Sequence, residues 1–192
     1  MPQTSPEEIL TQDLALKPIV DRHGPVELEP ADDPFRRLIT SVISQQVSTQ
    51  AARSIRERLF ERVEVTPQAI ASTDPEVLTG AGLSRQKAEY VHEIADAYLE
   101  YGYDRAYFAE MEDEAVIDEL TCIHGVGTWT AKMFLMFCLS REDVFPVEDL
   151  GIRNAMHETI DPSLSRTEMV ERAEQWSPVR SYASLYLWRV ID

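Results

Sequence analysis

Three short segments hold the residue types that could do chemistry. Gly125-Val126-Gly127 stands between two apolar helical patterns, with Leu120 and Ile123 before it and Ala131 after it. Glycines so placed allow a turn with positive φ and bring bare backbone N–H groups to the start of the next helix. Such a turn can seat a phosphate without a lysine, although an ordinary helix–helix corner has the same spelling. No Gly-Lys-Ser/Thr follows and no Gly-x-Gly-x-x-Gly is present, so neither common nucleotide-binding loop is spelled. Downstream, Asp143-Val-Phe-Pro-Val-Glu148-Asp149-Leu-Gly-Ile-Arg153 reads as a proline-bearing loop entering a helix, with Asp149 as its N-cap. A carboxylate there accepts backbone N–H bonds and stays ionised, and capping alone accounts for it. Glu148 is adjacent in the chain, so the two carboxylates point in different directions and need not form an acid–base pair. The third segment, Ser44-Gln45-Gln46-Val47-Ser48, is a polar break in an otherwise helical stretch.

The elements that must position these segments are all helical in pattern. Ser5-Pro6, Asp33-Pro34, Thr66-Pro67 and Asp74-Pro75 each spell an N-cap followed by proline at the first helical position. Ser165-Arg-Thr-Glu168 spells a capping box. Phe35, Leu38, Ile39, Val42 and Ile43 form one buried stripe, and a helix opening near Ser48 continues through Ala51, Ala52, Ile55 and Leu59. Further stripes run through Val91, Ile94, Ala95 and Tyr98, and through Val116, Ile117 and Leu120. Met133 to Cys138 is almost wholly apolar and predicts a central buried helix, and Tyr182 to Val190 predicts a closing one. Leu78–Ala88 and Leu120–Ala131 echo one another as helix end, small-residue turn and helix start. Only Val63–Val65 hints at period two, so the expected fold class is all-α.

The chain has 192 residues, enough for one domain or two small lobes, with 18 basic against 34 acidic side chains and a net charge of −16. Its cations are arginines except for Lys17, Lys87 and Lys132. Abundant carboxylates with little lysine suit a chain kept soluble in molar salt, where self-repulsion is screened, and a halophilic source is expected. Such a charge speaks against a nucleic-acid partner, because phosphates are neutralised by surface cations. The distribution of charge points the other way: Arg36, Arg37, Arg53, Arg56, Arg58 and Arg62 form one basic island in an acidic chain. No apolar run is long enough to span a membrane. The first twenty residues hold Glu7, Glu8 and Asp13 against Lys17, without a basic start leading into an apolar stretch, so a cytoplasmic location is expected. Cys122 and Cys138 lie in apolar contexts, read as reduced core thiols, and cannot supply four ligands to a zinc or iron–sulfur site.

Taken in order, Ile-Ser-Gln-Gln-Val-Ser-x-Gln-Ala-Ala, Leu-x-x-Ile-x-Gly-Val-Gly-x-Trp-Thr-Ala and Asp-Val-Phe-Pro-x-x-Asp-Leu-Gly-Ile-Arg resemble the helix-hairpin-helix (HhH-GPD) DNA glycosylase superfamily, and most closely its 3-methyladenine DNA glycosylase II branch. The motifs span about residues 35–155. The resemblance implies a two-lobed helical fold with an active-site cleft between the lobes. Residues 35–131 would form a central lobe ending in the hairpin, and residues 1–34 with 132–192 a second lobe carrying the catalytic aspartate. It also implies that Gly125, Val126, Gly127 and Thr128, with His124 beside them, meet the DNA backbone. The carbonyls of Thr121, Ile123 and Val126 match those that hold a structural Na+ or K+ in the family. Gln46 falls where the family fills the space left by a flipped nucleotide, and Asp149 falls on the catalytic aspartate.

The expected activity is monofunctional: base-excision repair by hydrolysis of the N-glycosidic bond of alkylated purines such as 3-methyladenine in double-stranded DNA. Trp129 is the first candidate to stack on a cationic base, ahead of Trp176, Trp188 and Tyr182. Trp129 also stands where bifunctional relatives carry a lysine nucleophile, so no lyase step is expected. The four-cysteine cluster of endonuclease III-like branches is absent, and no cofactor beyond the alkali ion is expected. The remaining alternatives are a glycosylase for a mismatched or oxidised base and a non-catalytic DNA-binding scaffold. A monomer acting on damaged duplex DNA, without membrane contact, is the expected form.

Overall fold

The computed structural model describes residues 4–191, and every regular element among them is helical. In chain order these are α1 (Pro6–Leu10), α2 (Lys17–His23), α3 (Pro34–Ser44), α4 (Thr49–Arg62), α5 (Pro67–Ser72), α6 (Pro75–Gly80), α7 (Arg85–Tyr101), α8 (Arg105–Phe108), α9 (Asp113–Thr121), α10 (Thr128–Leu139), α11 (Leu150–Thr159), α12 (Arg166–Ala173) and α13 (Arg180–Ile191), with a 3-10 turn at Glu174–Trp176. The cap-then-proline starts close as spelled: Asp33 accepts from Arg36 N at 3.0 Å, Thr66 from Ala69 N at 3.3 Å and Asp74 from Glu76 N at 2.8 Å. Both capping boxes, Ser5 with Glu8 and Ser165 with Glu168, form in full. Each such cap satisfies N–H groups that the first helical turn leaves unpaired, and contributes about 1 kcal/mol. Val63–Val65 is no strand: Val63 is the C-cap of α4.

The helices group into two compact units. One takes in the chain up to Pro30 and from Ser140 onward, and the other is Ala31–Leu139. The expected boundary at residue 131 therefore falls inside α10, a continuous helix whose second half stays with the central unit. Ala31 N donates to Phe137 O at 2.7 Å, which draws residues 31–34 into the same unit. α10 is buried on nearly every side, through Thr130, Ala131, Met133, Phe134, Leu135, Met136 and Cys138. A helix apolar all round belongs in a core, and α10 packs on α3, α8 and α9 while α3 also packs on α4 and α7.

The other unit closes around Leu10, Leu16, Phe145, Ile152, Met156, Trp176, Tyr186 and Leu187. Asp13 anchors it by accepting from Trp176 Nε1 at 2.6 Å, from the Arg172 guanidinium, and from Ala15 N at 2.8 Å. Burial pushes the Asp13 carboxyl upward, but the hydrogen bonds from Trp176 and Arg172 outweigh it and hold the group below its ordinary value. Trp176 is thus a core residue, 1% exposed, rather than a pocket wall. Cys138 is buried, but Cys122 lies exposed at the end of α9, contrary to its apolar sequence context.

Candidate active site and nucleic-acid interface

Asp149 caps α11 as its position predicts: Oδ1 accepts from Ile152 N at 3.0 Å. The same oxygen accepts from Trp188 Nε1 of α13 at 2.9 Å. Gly151 makes this approach feasible. A Cβ at that position would stand 2.9 Å from Asp149 Oδ1, 2.7 Å from Ile191 Cδ1 and 3.3 Å from Trp188 Cδ1. Arg153 fastens the entering loop, donating through Nη1 to Val147 O at 3.0 Å and Glu148 O at 2.6 Å. Asp149 N donates to Pro146 O at 2.9 Å, closing the turn.

The loop ahead of Asp149 is tied along its length to the start of α13. Asp143 receives Arg180 Nε at 2.7 Å and Nη2 at 3.0 Å, a two-pronged pair that Ser177 Oγ joins at 2.9 Å. Burial raises the Asp143 carboxyl, and these donors more than reverse it, leaving the group below the ordinary carboxylate range. Ser181, fully buried, donates to Arg141 O at 2.6 Å and accepts from Val144 N at 3.0 Å. These bonds tie the loop before Asp149 to the helix that carries Trp188. Tyr182 is half-buried on the same helix, its hydroxyl 3.2 Å from Glu142 Oε1.

In the central unit, α9 and α10 form the hairpin around Cys122–Gly127. Gly125 adopts φ +91°, and a Cβ there would overlap the Tyr90 ring at 2.1 Å, so only glycine fits. Nothing lies within 4 Å of a Cβ at Gly127, which is exposed with Thr128 at the mouth of α10. The absence of a side chain at Gly127 thus leaves the helix mouth open toward solvent. Val126 and Ile123 are buried beneath the turn. His124 is exposed, with its ring edge-to-face on Tyr90 at 4.7 Å and Nδ1 3.2 Å from Glu93 Oε1. Trp129 is half-buried in the first turn of α10.

The Gln45-Gln46 break is joined to this hairpin. Gln45 Nε2 donates to Gly125 O at 3.0 Å and to Thr130 Oγ1 at 2.9 Å, while Lys87 Nζ donates to Ile43 O at 2.7 Å and Gln45 O at 2.6 Å. Lys87 satisfies carbonyls that the end of α3 leaves unpaired, with its charge at the negative end of the helix dipole. Between these two anchors Gln46 adopts φ +55°, a left-handed conformation rare for a residue with a Cβ, and points outward, exposed.

The profile of the HhH-GPD superfamily, base excision DNA repair proteins, matches residues 39–179, a span that includes the Gln45–Gln46 break, the hairpin and Asp149. The chain belongs to this superfamily. DNA-3-methyladenine glycosylase 1 of Schizosaccharomyces pombe is 31% identical over 179 residues, 89% of this chain and 78% of that protein. The crystal structure of a DNA-3-methyladenine glycosidase from Bacillus halodurans superposes with a TM-score of 0.81 at 31% identity, covering 96% of this chain and 88% of that one. A 3-methyladenine DNA glycosylase of S. pombe, solved with abasic DNA, superposes with a TM-score of 0.88 at 30% identity, covering 96% and 95%. These relatives place the chain in the 3-methyladenine DNA glycosylase branch of the HhH-GPD superfamily.

Several groups that shape these two regions are not evident from sequence. Trp188 stands among the stacking candidates by sequence, but nothing local marks its indole as the partner of a carboxylate 39 residues earlier. Gly151 does carry a signal: a glycine in the first turn of a helix costs about 1 kcal/mol against alanine and calls for a steric reason. Lys87, one of only three lysines, invites the same question, and its answer lies more than forty residues away. Among the described residues no group of three or more His, Cys, Asp or Glu side chains could hold a metal ion.

Proposed function

We propose that the chain is a monofunctional DNA glycosylase that releases alkylated purines such as 3-methyladenine from double-stranded DNA, acting as a monomer. The observation that carries this reading is the fixed Asp149 carboxylate, capped at α11 and bonded by Trp188, in a chain of the 3-methyladenine glycosylase branch. Capping accounts for the bond from Ile152 N but not for the second one, from Trp188.

In this mechanism the damaged nucleotide leaves the stack before any bond breaks, and Gln46 fills the space it vacates. The exposed left-handed position of Gln46, braced by Gln45 and Lys87, supports that role. Backbone N–H groups at the Gly125–Thr128 mouth of α10 receive phosphate oxygens, a seat that Gly127 leaves open. An alkylated purine already carries positive charge. When the C1′–N bond breaks, its electron pair leaves with the base, which departs neutral, and the sugar becomes oxocarbenium-like. Asp149 stabilises that charge and orients the water whose oxygen bonds to C1′, taking up the proton released. Trp129 offers a ring to the cationic base and no amine, so no Schiff base forms. Backbone carbonyls suit an alkali ion, and Thr121, Ile123 and Val126 are proposed to hold Na+ or K+; Ile123 O, which also accepts from Val126 N at 3.0 Å, retains its second lone pair.

Incubation with duplexes carrying alkylated, oxidised and mismatched bases tests the reading. Alkylated purines should be released, leaving an intact strand that breaks only in alkali, and borohydride should trap no covalent adduct. Release confined to oxidised or mismatched bases, or an efficiently trapped adduct, would contradict it. The acidic surface further predicts that folding and base release persist from about 0.1 to about 2 M KCl, over which the Debye length falls from about 10 Å to about 2 Å. Activity and stability that both peak at the low end would refute the halophilic part.

A further inference from the structure

Six arginines lie between residues 36 and 62, and five of them are engaged within the protein. Arg58 Nε donates to Ala81 O at 2.8 Å and Arg62 Nη1 to Gly80 O at 2.7 Å, tying down the end of α6. Arg36 lies over the Phe60 ring at 4.2 Å and Arg37 over Phe137 at 4.5 Å. Arg53 pairs with Glu57 at 2.8 Å. Arg56 is different: half-buried on α4, it has neither a hydrogen bond nor a carboxylate partner among the described residues. Burial pulls the Arg37 guanidinium below its ordinary value and the neighbouring Arg56 charge adds to this, so two positive charges lie close together here. In a chain of net charge −16 that is an anomaly with a cost, since a partly desolvated cation needs an anion.

Arg56 and Arg53 line a concavity of about 230 Å³ with Thr40, Ser44, Val47 and Thr49. Ser44 and Val47 flank Gln45 and Gln46 in sequence, so the break has two sides. Gln45 turns to the hairpin, through Gly125 O and Thr130 Oγ1. Ser44 and Val47 turn to the concavity, which no hairpin residue lines. A side chain that enters a duplex at Gln46 has one strand on each side of it, and the family resemblance implies that the hairpin takes the damaged one.

We propose that the Arg56 concavity receives a backbone phosphate of the strand opposite the damaged nucleotide. This assignment rests on the glycosylase reading above. Arg56 neutralises the phosphate, and Arg53 joins it by exchanging Glu57 for a stronger anion. Arg56, joined by Arg53, then carries the ionic grip of the arginine island, at a single phosphate.

The test is binding to a duplex with a stable abasic-site analogue, from about 0.05 to about 0.5 M KCl, for the parent protein, Arg56→Gln and Arg56→Lys. Each neutralised phosphate contributes a slope of about 0.9 in log K against log salt. Over that decade the advantage of the parent over Arg56→Gln should therefore shrink about eightfold, while Arg56→Lys keeps the parent slope. Single methylphosphonates, which remove one phosphate charge, should abolish the difference between parent and Arg56→Gln at one position of the opposite strand and at none of the damaged strand. An unchanged slope in Arg56→Gln, or a difference abolished only from the damaged strand, would overturn the assignment. Base release from methylated DNA by the parent protein, measured alongside, separates the two claims. Release with an unchanged Arg56→Gln slope sinks the phosphate site alone, whereas a parent that neither binds nor releases base sinks both.

Discussion

The Asp149 region and the Gln46–hairpin region are built to opposite plans. Around Asp149 polar groups turn inward: Trp188 and Ile152 N meet one carboxylate oxygen, Arg153 holds the carbonyls before it, and Arg180 grips Asp143. Around Gln46 the rigidity lies beneath the surface, in Lys87, Gln45 and the Gly125–Tyr90 contact, while Gln46, Gly127 and Thr128 are left exposed above it. In the proposed function the first plan fixes a charge for chemistry, as electrostatic catalysis requires. In the same proposal the second fixes a platform and leaves its upper surface for DNA. Substitutions should therefore separate along this line, with damage to the platform read in DNA binding and damage around Asp149 read in the chemical step.

The largest effect on binding should come from Gly125→Ala. Its Cβ would stand 2.1 Å from the Tyr90 ring at a φ of +91°, so the turn must rebuild. Affinity for abasic duplex should fall about 100-fold, measured by fluorescence anisotropy, while Gly127→Ala, with open space around it, should leave the unbound protein's thermal stability unchanged within about 0.5 kcal/mol. Equal destabilisation of the unbound protein by both changes would erase the distinction between a turn that needs glycine and a helix mouth that is merely open.

Next in size, Trp188→Phe keeps the ring and deletes one hydrogen bond to a carboxylate. Such bonds contribute about 1.5–3 kcal/mol, so single-turnover base release should slow about 10- to 100-fold with abasic-duplex binding unchanged. A variant that lost binding but kept its rate would move Trp188 to the other side of the comparison.

The smallest effects concern the frame that supports Asp149. Asp13 and Asp143 both have carboxyl pKa values held below the ordinary value in the folded state. Each therefore contributes stability that is present above about pH 4 and lost as the pH falls through the lowered value. Acid titration of urea-unfolding midpoints should show that loss, and Asp13→Asn should be less stable at pH 7 by about 1–3 kcal/mol and shallower in its acid dependence. An unaltered acid slope would mean that the Arg172–Asp13–Trp176 cluster contributes little.

Much of this is legible in the sequence where the cause is local. Caps and apolar stripes depend on neighbours three or four residues away, so the helices at Ser5, Asp33, Thr66, Asp74 and Ser165 start where their spelling says. The cap at Asp149 is legible for the same reason. The Trp188 bond, the Gln45 bridge to residues 125 and 130, and the Lys87 clamp are not, because each joins residues 39 to 85 positions apart and nothing near either end marks the partner. The unit boundary differs from the expected one because the hairpin motif ends at Ala131 whereas the helix that bears it runs to Leu139.

The central claim is that an ionised Asp149 drives bond cleavage while the hairpin platform binds DNA independently of it. Asp149→Asn keeps the side chain's size and its capping oxygen and removes the charge. Single-turnover release of 3-methyladenine from methylated duplex DNA should fall by about 100- to 1,000-fold or more in this variant, with affinity for abasic duplex within about threefold of the parent. Release at the parent rate would contradict the account, as would a loss of activity that merely tracked a loss of binding.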